Sequence, residues 1–351
     1  MSGYAVSEVA PGVREDLFVR LRREAMGEHA TSPELYRWQY REAPDGDSEV
    51  LVLETRNGPP EPVGWAAVQE RCLFVDGREH RAGLLINLLV AIPHRKVLPA
   101  LLLQRATLSV ARERFELSYG YPNRAALGGY LRAGYVKLGD IRRHACVLGG
   151  HGEKLAELGM WAPAAAALGE AADAVSPLIR RGVWAWAGRR YDFEWPANID
   201  RRFDRLWNRA AAARPWQIMS RRNARFVQWR LSTHPKEPFA VGALVERATG
   251  ELVAYAAVRQ YGGRAHIADL FAADEEALGP LVDAVLEALV RMGVSIVDVS
   301  HLGHSRVDEI LRIRGFQPRE GLRHVVVDPG RLGASLLDVE RWHLTDVDGD
   351  L

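Results

Sequence analysis

An internal repeat is the feature that most constrains how this chain of 351 residues can fold. Trp38 lies six residues before Pro44, and Trp229 lies six residues before Pro235. Three further pairs of matching segments follow in the same order, namely residues 64–68 with 254–258, 86–90 with 268–272, and 134–135 with 315–316. The four separations are 191, 190, 182 and 181 residues, so they drift slowly and in one direction. Four ordered matches predict that the chain contains two copies of one domain.

The two copies also share one order of predicted elements. Short apolar or alternating runs bounded by turn residues predict strands at 49–54 and 64–70 in the first copy, and at 240–246 and 253–260 in the second. A buried strand, a long amphipathic helix and another strand follow, at 84–91, 99–114 and 116–121 in the first copy and at 266–271, 275–292 and 295–300 in the second. We therefore expect an α/β fold of two tandem domains, each with a mixed central sheet flanked by helices.

The repeat divides the chain into three parts. Residues 1–150 form the predicted first domain, and residues 200–351 form the second, which opens with two predicted helices. Residues 151–199 form a helical connector that is rich in alanine and tryptophan. Core and interface packing is the first interpretation of these tryptophans, and a sugar-stacking groove or a membrane-surface patch at residues 177–190 are the alternatives.

Composition argues against several classes of partner. The 46 Lys and Arg residues nearly balance the 45 Asp and Glu residues, so no strong positive field attracts nucleic acid. Cys72 and Cys146 are too few for a disulfide framework, and no histidine spacing is typical of a metal site. The most apolar stretch, residues 84–103, is interrupted by residues 93–96 and cannot span a bilayer. We expect a cytoplasmic protein without a membrane span, a metal or a nucleic-acid partner.

Several short segments resemble one known superfamily. They are the two Trp-x5-Pro motifs, the tripeptide 121–123, and the segments 130–135, 203–207, 221–230 and 342–346. Together with the strand order, they resemble the GNAT superfamily of acyl-CoA-dependent N-acyltransferases, and in particular the tandem GNAT proteins of bacterial polysaccharide and cell-envelope gene clusters. The resemblance covers nearly the whole chain. It implies two GNAT-like domains that transfer an acyl group, most simply from acetyl-CoA, to an amine of a sugar, an amino acid or an envelope precursor.

The resemblance also implies a cofactor site in the first copy. In GNAT proteins the central strand pairs with the pantetheine arm, and the following turn binds the pyrophosphate at a helix N-terminus. The residues at these positions here are Val90, Ala91, Arg95, Lys96, Leu98, Ala100 and Asn123. Leu98 stands where the family has a glycine, and Pro99 lacks an N–H donor. The second copy has Ala-Ala-Asp-Glu-Glu at residues 272–276, which would repel phosphate, so we expect the first copy to bind acyl-CoA.

The implied reaction is the attack of a neutral amine on the thioester. A backbone N–H near Val90 or Ala91 is expected to stabilise the oxyanion, and the hydroxyl of Tyr130 is expected to protonate the departing thiolate. The second copy has Leu311 at the position of Tyr130. We therefore expect the second copy to act as a scaffold without catalytic activity.

The general base stays open at this stage. Asn87 of the first copy stands where the second copy has Asp269, so the first central strand carries no carboxylate. Glu70 and Glu79 lie nearby in sequence, and an amine of low pKa needs only water as its base. For Asp269 itself, a structural hydrogen bond or a buried ion pair is the first interpretation.

Two other functions fit the same residues. The altered turn and the missing second tyrosine also fit a degenerate tandem protein that acts as a binding or assembly subunit. They also fit a transferase that takes its donor from aminoacyl-tRNA, although the near-neutral charge argues against that donor. The acceptor, the length of the acyl chain and a homodimeric state are left open by the sequence.

Overall fold

The computed structural model describes residues 3–27, 31–150, 160–171, 188–236, 238–321 and 323–349. Its strands form one continuous mixed sheet, and helices pack against it. The α/β class and the mixed sheets flanked by helices that the sequence predicts are therefore confirmed. Within these ranges, no helix is both long enough and apolar enough to cross a membrane.

The first half builds most of its sheet from consecutive strands. They are β1 (Tyr4–Val9), β2 (Ser48–Thr55), β3 (Pro62–Val75), β4 (Arg78–Val90) and β5 (Leu117–Gly120), followed by β6 (Val136–Asp140) and β7 (Arg142–Val147). Strands β1 to β4 are antiparallel neighbours, and β5 is parallel to β4. The helices are α1 (Glu15–Met26), α2 (Pro33–Tyr40), α3 (Val97–Arg114) and α4 (Arg124–Ala133). The strands and the long helix predicted for the first copy correspond to β2, β3, β4, β5 and α3.

The second half repeats this arrangement. Its strands are β8 (Tyr191–Glu194), β9 (Ile218–Ser220), β10 (Ala240–Glu246), β11 (Leu252–Tyr261), β12 (Arg264–Ala272), β13 (Ile296–Gly303), β14 (Gln317–Arg319), β15 (His324–Asp328) and β16 (Trp342–Thr345). Strands β8, β10, β11 and β12 are antiparallel neighbours, and β13 is parallel to β12, as β5 is to β4. The helices are α5 (Arg201–Ala213), α6 (Ala224–Val227, continued by a π turn at Gln228–Ser232), α7 (Glu275–Arg291) and α8 (Ser305–Ile313). A helical stretch at 162–171 is described between the halves, and most of the connector lies outside the described residues.

The two halves exchange one strand each from their C-terminal parts. Strand β15, from the second half, lies between β5 and β6 of the first half and is antiparallel to both. Strand β7, from the first half, lies between β13 and β14 and is antiparallel to both. Each half therefore completes its sheet with a strand that the other half supplies, and without that strand it would present unpaired edges.

The tryptophans of the two Trp-x5-Pro motifs meet at the boundary between the halves. The indole N–H of Trp38 donates to the carbonyl of Trp229 at 2.9 Å, and the indole N–H of Trp229 donates to the carbonyl of Trp38 at 3.0 Å. The two rings stack with their centroids 4.8 Å apart and an angle of 17° between their planes. Reciprocal contacts of this kind are made across a two-fold axis. The two motifs therefore occupy equivalent positions on either side of this boundary.

The repeated Gly-aromatic pair ends a helix in each half. Gly134 follows α4 with a φ of +118°, and Gly315 follows α8 with a φ of +88°. Both angles lie in the left-handed region, which glycine adopts without steric strain and which terminates many helices. Tyr135 and Phe316, which follow these glycines, are both buried in the core of their half.

Candidate active site

In the first half, strand β4 runs beyond the end of its parallel partner β5, and we call the unpaired side of β4 that results the cleft. Their parallel pairing runs only from Ala82 with Leu117 to Leu85 with Gly120, whereas β4 continues to Val90. Among the strands that the structure describes, none pairs with β4 on this side beyond Leu85. The cleft therefore opens at the carboxyl ends of two parallel strands, which is the usual position for ligands in α/β sheets.

A β-bulge at Asn87 lies where β4 leaves β5. On the β3 side, Ala67 pairs with Ile86 but Trp65 pairs with Leu89, so β4 contains one extra residue. Asn87 has a φ of +51°, a left-handed conformation that asparagine adopts more readily than most residues. A bulge bends its strand and redirects the residues that follow it. This bulge thus directs the end of β4 along the cleft.

Buried hydrogen bonds hold the bulge in place. The amide Nδ2 of Asn87 donates to the hydroxyl of Tyr40 at 2.9 Å and to Oε1 of Gln39 at 3.0 Å. The guanidinium of Arg22 donates to Oδ1 of Asn87, and the indole N–H of Trp65 donates to the Tyr40 hydroxyl at 3.0 Å. These contacts come from α1, α2 and β3, and no local sequence pattern records them. They place a neutral amide at the bulge.

The second half has a carboxylate at the equivalent bulge, and that carboxylate is fully paired. Asp269 has no exposed surface. Its oxygens accept hydrogen bonds from the Arg222 guanidinium at 3.0 Å, from the Tyr255 hydroxyl at 2.6 Å and from the Thr345 hydroxyl at 2.8 Å. Arg222 also binds Asp348 at 2.7 Å, which makes a buried network of charges. These contacts give Asp269 the buried ion pair that was its first interpretation.

Val90 and Ala91, at the end of β4, present their backbone groups to opposite sides. The N–H of Ala91 donates to the carbonyl of Val63 on the β3 side at 2.8 Å. Because backbone groups alternate in direction along an antiparallel strand, the N–H and carbonyl of Val90 point into the cleft. The Nε of Arg95 donates to this Val90 carbonyl at 3.0 Å. Of the two candidate oxyanion donors, Val90 therefore faces the cleft, and the Ala91 N–H is occupied by β3.

The turn after β4 leads directly into the N-terminus of α3. Arg95 and Lys96 are exposed there, and Lys96 is the residue that precedes the first turn of the helix. The side chain of Leu98 is 47% exposed, Pro99 is buried and Ala100 is partly buried. Because the first N–H groups of a helix have no acceptor within it, the N–H of Leu98 is a donor available to a ligand, but Pro99 supplies none. The turn thus offers two cations and a reduced set of backbone donors.

Helix α4, which follows β5, carries the other two predicted site residues. Asn123 caps its N-terminus, where Oδ1 accepts from the N–H of Ala126 at 3.0 Å. Tyr130 lies near the end of the same helix, is 7% exposed, and contacts the ring of Tyr135 edge-on at 5.4 Å. Tyr130 belongs to the same hydrophobic cluster as Leu85, where the paired part of β4 ends. Tyr130 is thus buried in a cluster with Leu85, and Asn123 lies just beyond the end of β5.

The equivalent cleft in the second half is almost filled. It contains a cavity of about 20 Å³ lined by Leu270 and Ala272 of β12 and by residues at the start of α7 and α8. The guanidinium of Arg214 crosses this space to donate to the carbonyl of Ala272, and burial lowers its pKa to about 10. His343 is also buried there, and burial holds the pKa of its imidazole well below the usual range. The remaining volume accommodates about one water molecule.

Neither acidic residue considered as a base for the first half lies beside Asn87. Glu70 forms a two-point ion pair with Arg81, at 2.7 and 2.9 Å, and Glu79 is 3.3 Å from Arg221.

Cys72 is an unsuitable nucleophile, because burial raises the pKa of its thiol to about 12. Within the described ranges, no cluster of three or more histidine, cysteine and acidic side chains has the arrangement of a metal site.

No protein-family model and no curated protein matches the sequence. Solved structures do match its fold. One is a conserved protein of unknown function from Enterococcus faecalis, described as a probable N-acyltransferase, with 9% identity, a TM-score of 0.64, and coverage of 94% of this chain and 73% of that one. Another is a GCN5-related N-acetyltransferase from Kribbella flavida, with 13% identity, a TM-score of 0.59, and coverage of 94% and 72%.

A third similar structure is the N-myristoyltransferase of Saccharomyces cerevisiae with bound myristoyl-CoA. It has 11% identity to this chain, a TM-score of 0.55, and coverage of 94% of this chain and 83% of that one. At such low identities the three comparisons establish the fold alone. The chain has the GNAT fold in two halves, as the sequence predicts.

Proposed function

We propose that this chain is an acyl-CoA-dependent N-acyltransferase whose first half holds the cofactor. The side of β4 that is not paired with a strand beyond Leu85 is the observation that carries the proposal. This strand edge, where Arg95 binds the Val90 carbonyl, is followed by a turn with two cations and by a helix N-terminus. The corresponding space in the second half has a volume of about 20 Å³. The N-acetyltransferase and N-myristoyltransferase among the similar structures support this function.

In the proposed complex, the pantetheine arm pairs with the free side of β4 as an added strand would. Arg95 releases the Val90 carbonyl to the pantetheine and turns with Lys96 towards the pyrophosphate. The N–H of Leu98 adds a donor at the start of α3. Asn123 contacts the cofactor from the end of β5. The loss of one donor at Pro99 predicts weaker phosphate binding than a glycine-rich turn would give.

The chemical step needs one proton donor and one oxyanion donor from the chain. The amine nitrogen of the acceptor attacks the thioester carbonyl, and the Val90 N–H stabilises the oxygen that becomes negative. When the carbon–sulfur bond breaks, the Tyr130 hydroxyl gives its proton to the thiolate, and the amine loses a proton to water. Because the bulge carries Asn87 and not a carboxylate, the acceptor amine loses its ammonium proton to water before it attacks. We propose a small-molecule amine in the cytoplasm, of the sugar, amino acid or envelope-precursor class.

Calorimetric titration with acetyl-CoA, myristoyl-CoA and free CoA tests the proposal. We expect binding in the micromolar range and a Kd about tenfold higher for Arg95→Gln, because one charge-assisted contact to phosphate is lost. Arg105→Gln, on an exposed position of the same helix α3, serves as the matched control and should leave the Kd unchanged. Absence of binding by all three compounds would remove the enzyme proposal and favour the degenerate binding subunit, which Leu98 and Pro99 also fit.

A further inference from the structure

A second cavity lies where the exchanged strands meet. Its volume is about 320 Å³, and we call it the junction pocket. Its charged lining consists of Arg143, Arg259, Arg323, His266, Glu320 and Asp346. Phe239, Tyr261 and Ile141 supply apolar surface. The cavity has the size and the mixture of surfaces that are typical of a small-molecule site.

Two of the acidic groups in and behind this pocket are already matched by cations. Nδ1 of His266 lies 2.7 Å from Asp298, and its Nε2 lies 2.7 Å from Asp346, so the imidazole bridges the two carboxylates. Arg143 forms a further ion pair with Asp298. These contacts build a fixed polar wall whose charges are largely neutralised.

Arg323 remains incompletely paired in this wall. Its side chain is 42% exposed, but the Nη1 atom is buried and has no hydrogen-bond partner within the described part of the chain. The closest carboxylate oxygen, on Asp346, is 3.7 Å away, which exceeds hydrogen-bonding distance. Leaving a guanidinium donor buried without an acceptor costs free energy, and an anionic ligand would remove that cost.

The backbone of Arg323 ties the junction pocket to the first-half cleft. Its carbonyl accepts from the N–H of Ile141 at 3.0 Å, and it forms a β-bridge with Asn123 at the end of β5. The next residue, His324, donates its N–H to the carbonyl of Pro122 at 3.0 Å. The pocket therefore borders the cleft wall from which Asn123 would contact the cofactor.

We propose that the junction pocket binds the acceptor through a carboxylate, so that the substrate is an amine that also carries a carboxylate, as an amino acid does. This inference rests on the proposed acyltransferase function. Arg323 receives the carboxylate, and the rings of Phe239 and Tyr261 contact the rest of the molecule. A carboxylate can accept the hydrogen bond that the buried Nη1 of Arg323 leaves unmade, in the charge-assisted pairing typical of guanidinium groups.

The test uses the twenty standard amino acids and their carboxamides, which keep the amine and lose the carboxylate. Each compound is titrated into the full-length protein by calorimetry and then offered with acetyl-CoA in an assay for released thiol. We expect at least one amino acid to bind and to be acylated, with its carboxamide at least tenfold weaker in both assays. Equal behaviour of acids and carboxamides, or no binding by any acid, would overturn the proposal.

Variants at single arginines test whether Arg323 binds the carboxylate. Arg323→Gln should weaken binding of the active amino acid at least tenfold and abolish its advantage over the carboxamide, while Arg323→Lys should retain part of that advantage. Arg319→Gln is the control, because Arg319 is exposed on the neighbouring β14 and donates only to the carbonyl of Pro318. A titration with acetyl-CoA separates the two proposals. If acetyl-CoA binds as expected but Arg323→Gln does not change amino-acid binding, the junction-pocket proposal is wrong and the acyltransferase proposal stands. If an amino acid binds but acetyl-CoA does not, the acyltransferase proposal is wrong and the pocket proposal stands.

Discussion

Tyr130 and Tyr135 provide a matched pair for testing the proton donor. Both are buried, and their rings contact each other at 5.4 Å. Tyr130→Phe keeps the packing and removes only the hydroxyl, so we expect the folded protein to bind acyl-CoA normally. Turnover should fall about 100-fold, the lower range for loss of a general acid. Steady-state kinetics at saturating acyl-CoA, measured from thiol release, check this.

Tyr135→Phe is the control for that prediction. The Tyr135 hydroxyl is buried and has no hydrogen-bond partner in the described structure, and burial raises its pKa. Its removal should leave turnover unchanged and stability equal or slightly higher, because an unsatisfied polar group is lost. Equal turnover in Tyr130→Phe and Tyr135→Phe would show that neither hydroxyl protonates the thiolate.

His266 makes folding stability depend on pH. Burial disfavours its charged form, but hydrogen bonds to Asp298 and Asp346 outweigh burial and raise the pKa of the imidazole to about 9. Because the folded pKa exceeds the unfolded value, the stabilisation is complete below about pH 6.5 and is lost as the pH rises through 9. The shift corresponds to about 3 kcal/mol at most.

Urea unfolding at pH 6 and pH 9.5 measures this effect. Wild-type protein should lose stability between the two pH values, and the loss should be markedly smaller for His266→Gln. His304→Gln, which alters a histidine at the start of α8, is a suitable control and should retain the wild-type pH dependence. An identical pH dependence in all three proteins would contradict a charged bridge at His266.

At the scale of elements, the start of α3 decides how strongly phosphate can bind. Pro99 lies in its first turn and supplies no N–H. Pro99→Ala restores a backbone donor and keeps a Cβ in the buried position. We expect acyl-CoA to bind about fivefold more tightly, because hydrogen bonds to charged groups are stronger than neutral ones. Calorimetric titration measures the change.

Pro93→Ala is the control for this helix-level prediction. Pro93 lies in the 3₁₀ turn Ile92–His94 before the helix, so the substitution relaxes the same loop without adding a donor to α3. Its affinity for acyl-CoA should equal that of the wild type. If Pro93→Ala alone also bound acyl-CoA more tightly, the gain would be due to loop flexibility and not to the restored N–H.

The sequence predicted the positions of helices and strands better than it predicted which strands pair with each other. Residues 84–91 are recognisable as the central strand because they are apolar and bounded by turn signals. The positive φ of Asn87 is different, since it depends on Arg22, Gln39 and Tyr40 from two helices. Likewise, the alternating pattern of β7 and the apolar run of β15 fit a strand in either half. Their exchange is decided by which edge each strand reaches, and local periodicity does not contain that information.

At the scale of the whole molecule, the two similar halves differ around their central strands. The two bulges occupy equivalent positions, yet Asn87 is a neutral amide held by Arg22, Gln39 and Tyr40, whereas Asp269 belongs to a buried charge network. Arg95 and Arg214 both donate to the carbonyl at the end of their central strand, Arg95 from the turn after β4 and Arg214 from the end of helix α5. The second half thus keeps the geometry of a cofactor site but fills its space with side chains. That difference supports one active cleft per chain.

The strand exchange predicts that the two proposed domains are a single folding unit. A protease site inserted after Gly150 allows the purified protein to be cut between β7 and β8. Because β7 lies between β13 and β14, and β15 lies between β5 and β6, the fragments should remain together in gel filtration and unfold in one transition. The fragment 1–150 expressed alone lacks β15 and should aggregate through its exposed edges. Fragments that separate after cleavage, each with its own unfolding transition, would contradict the exchange.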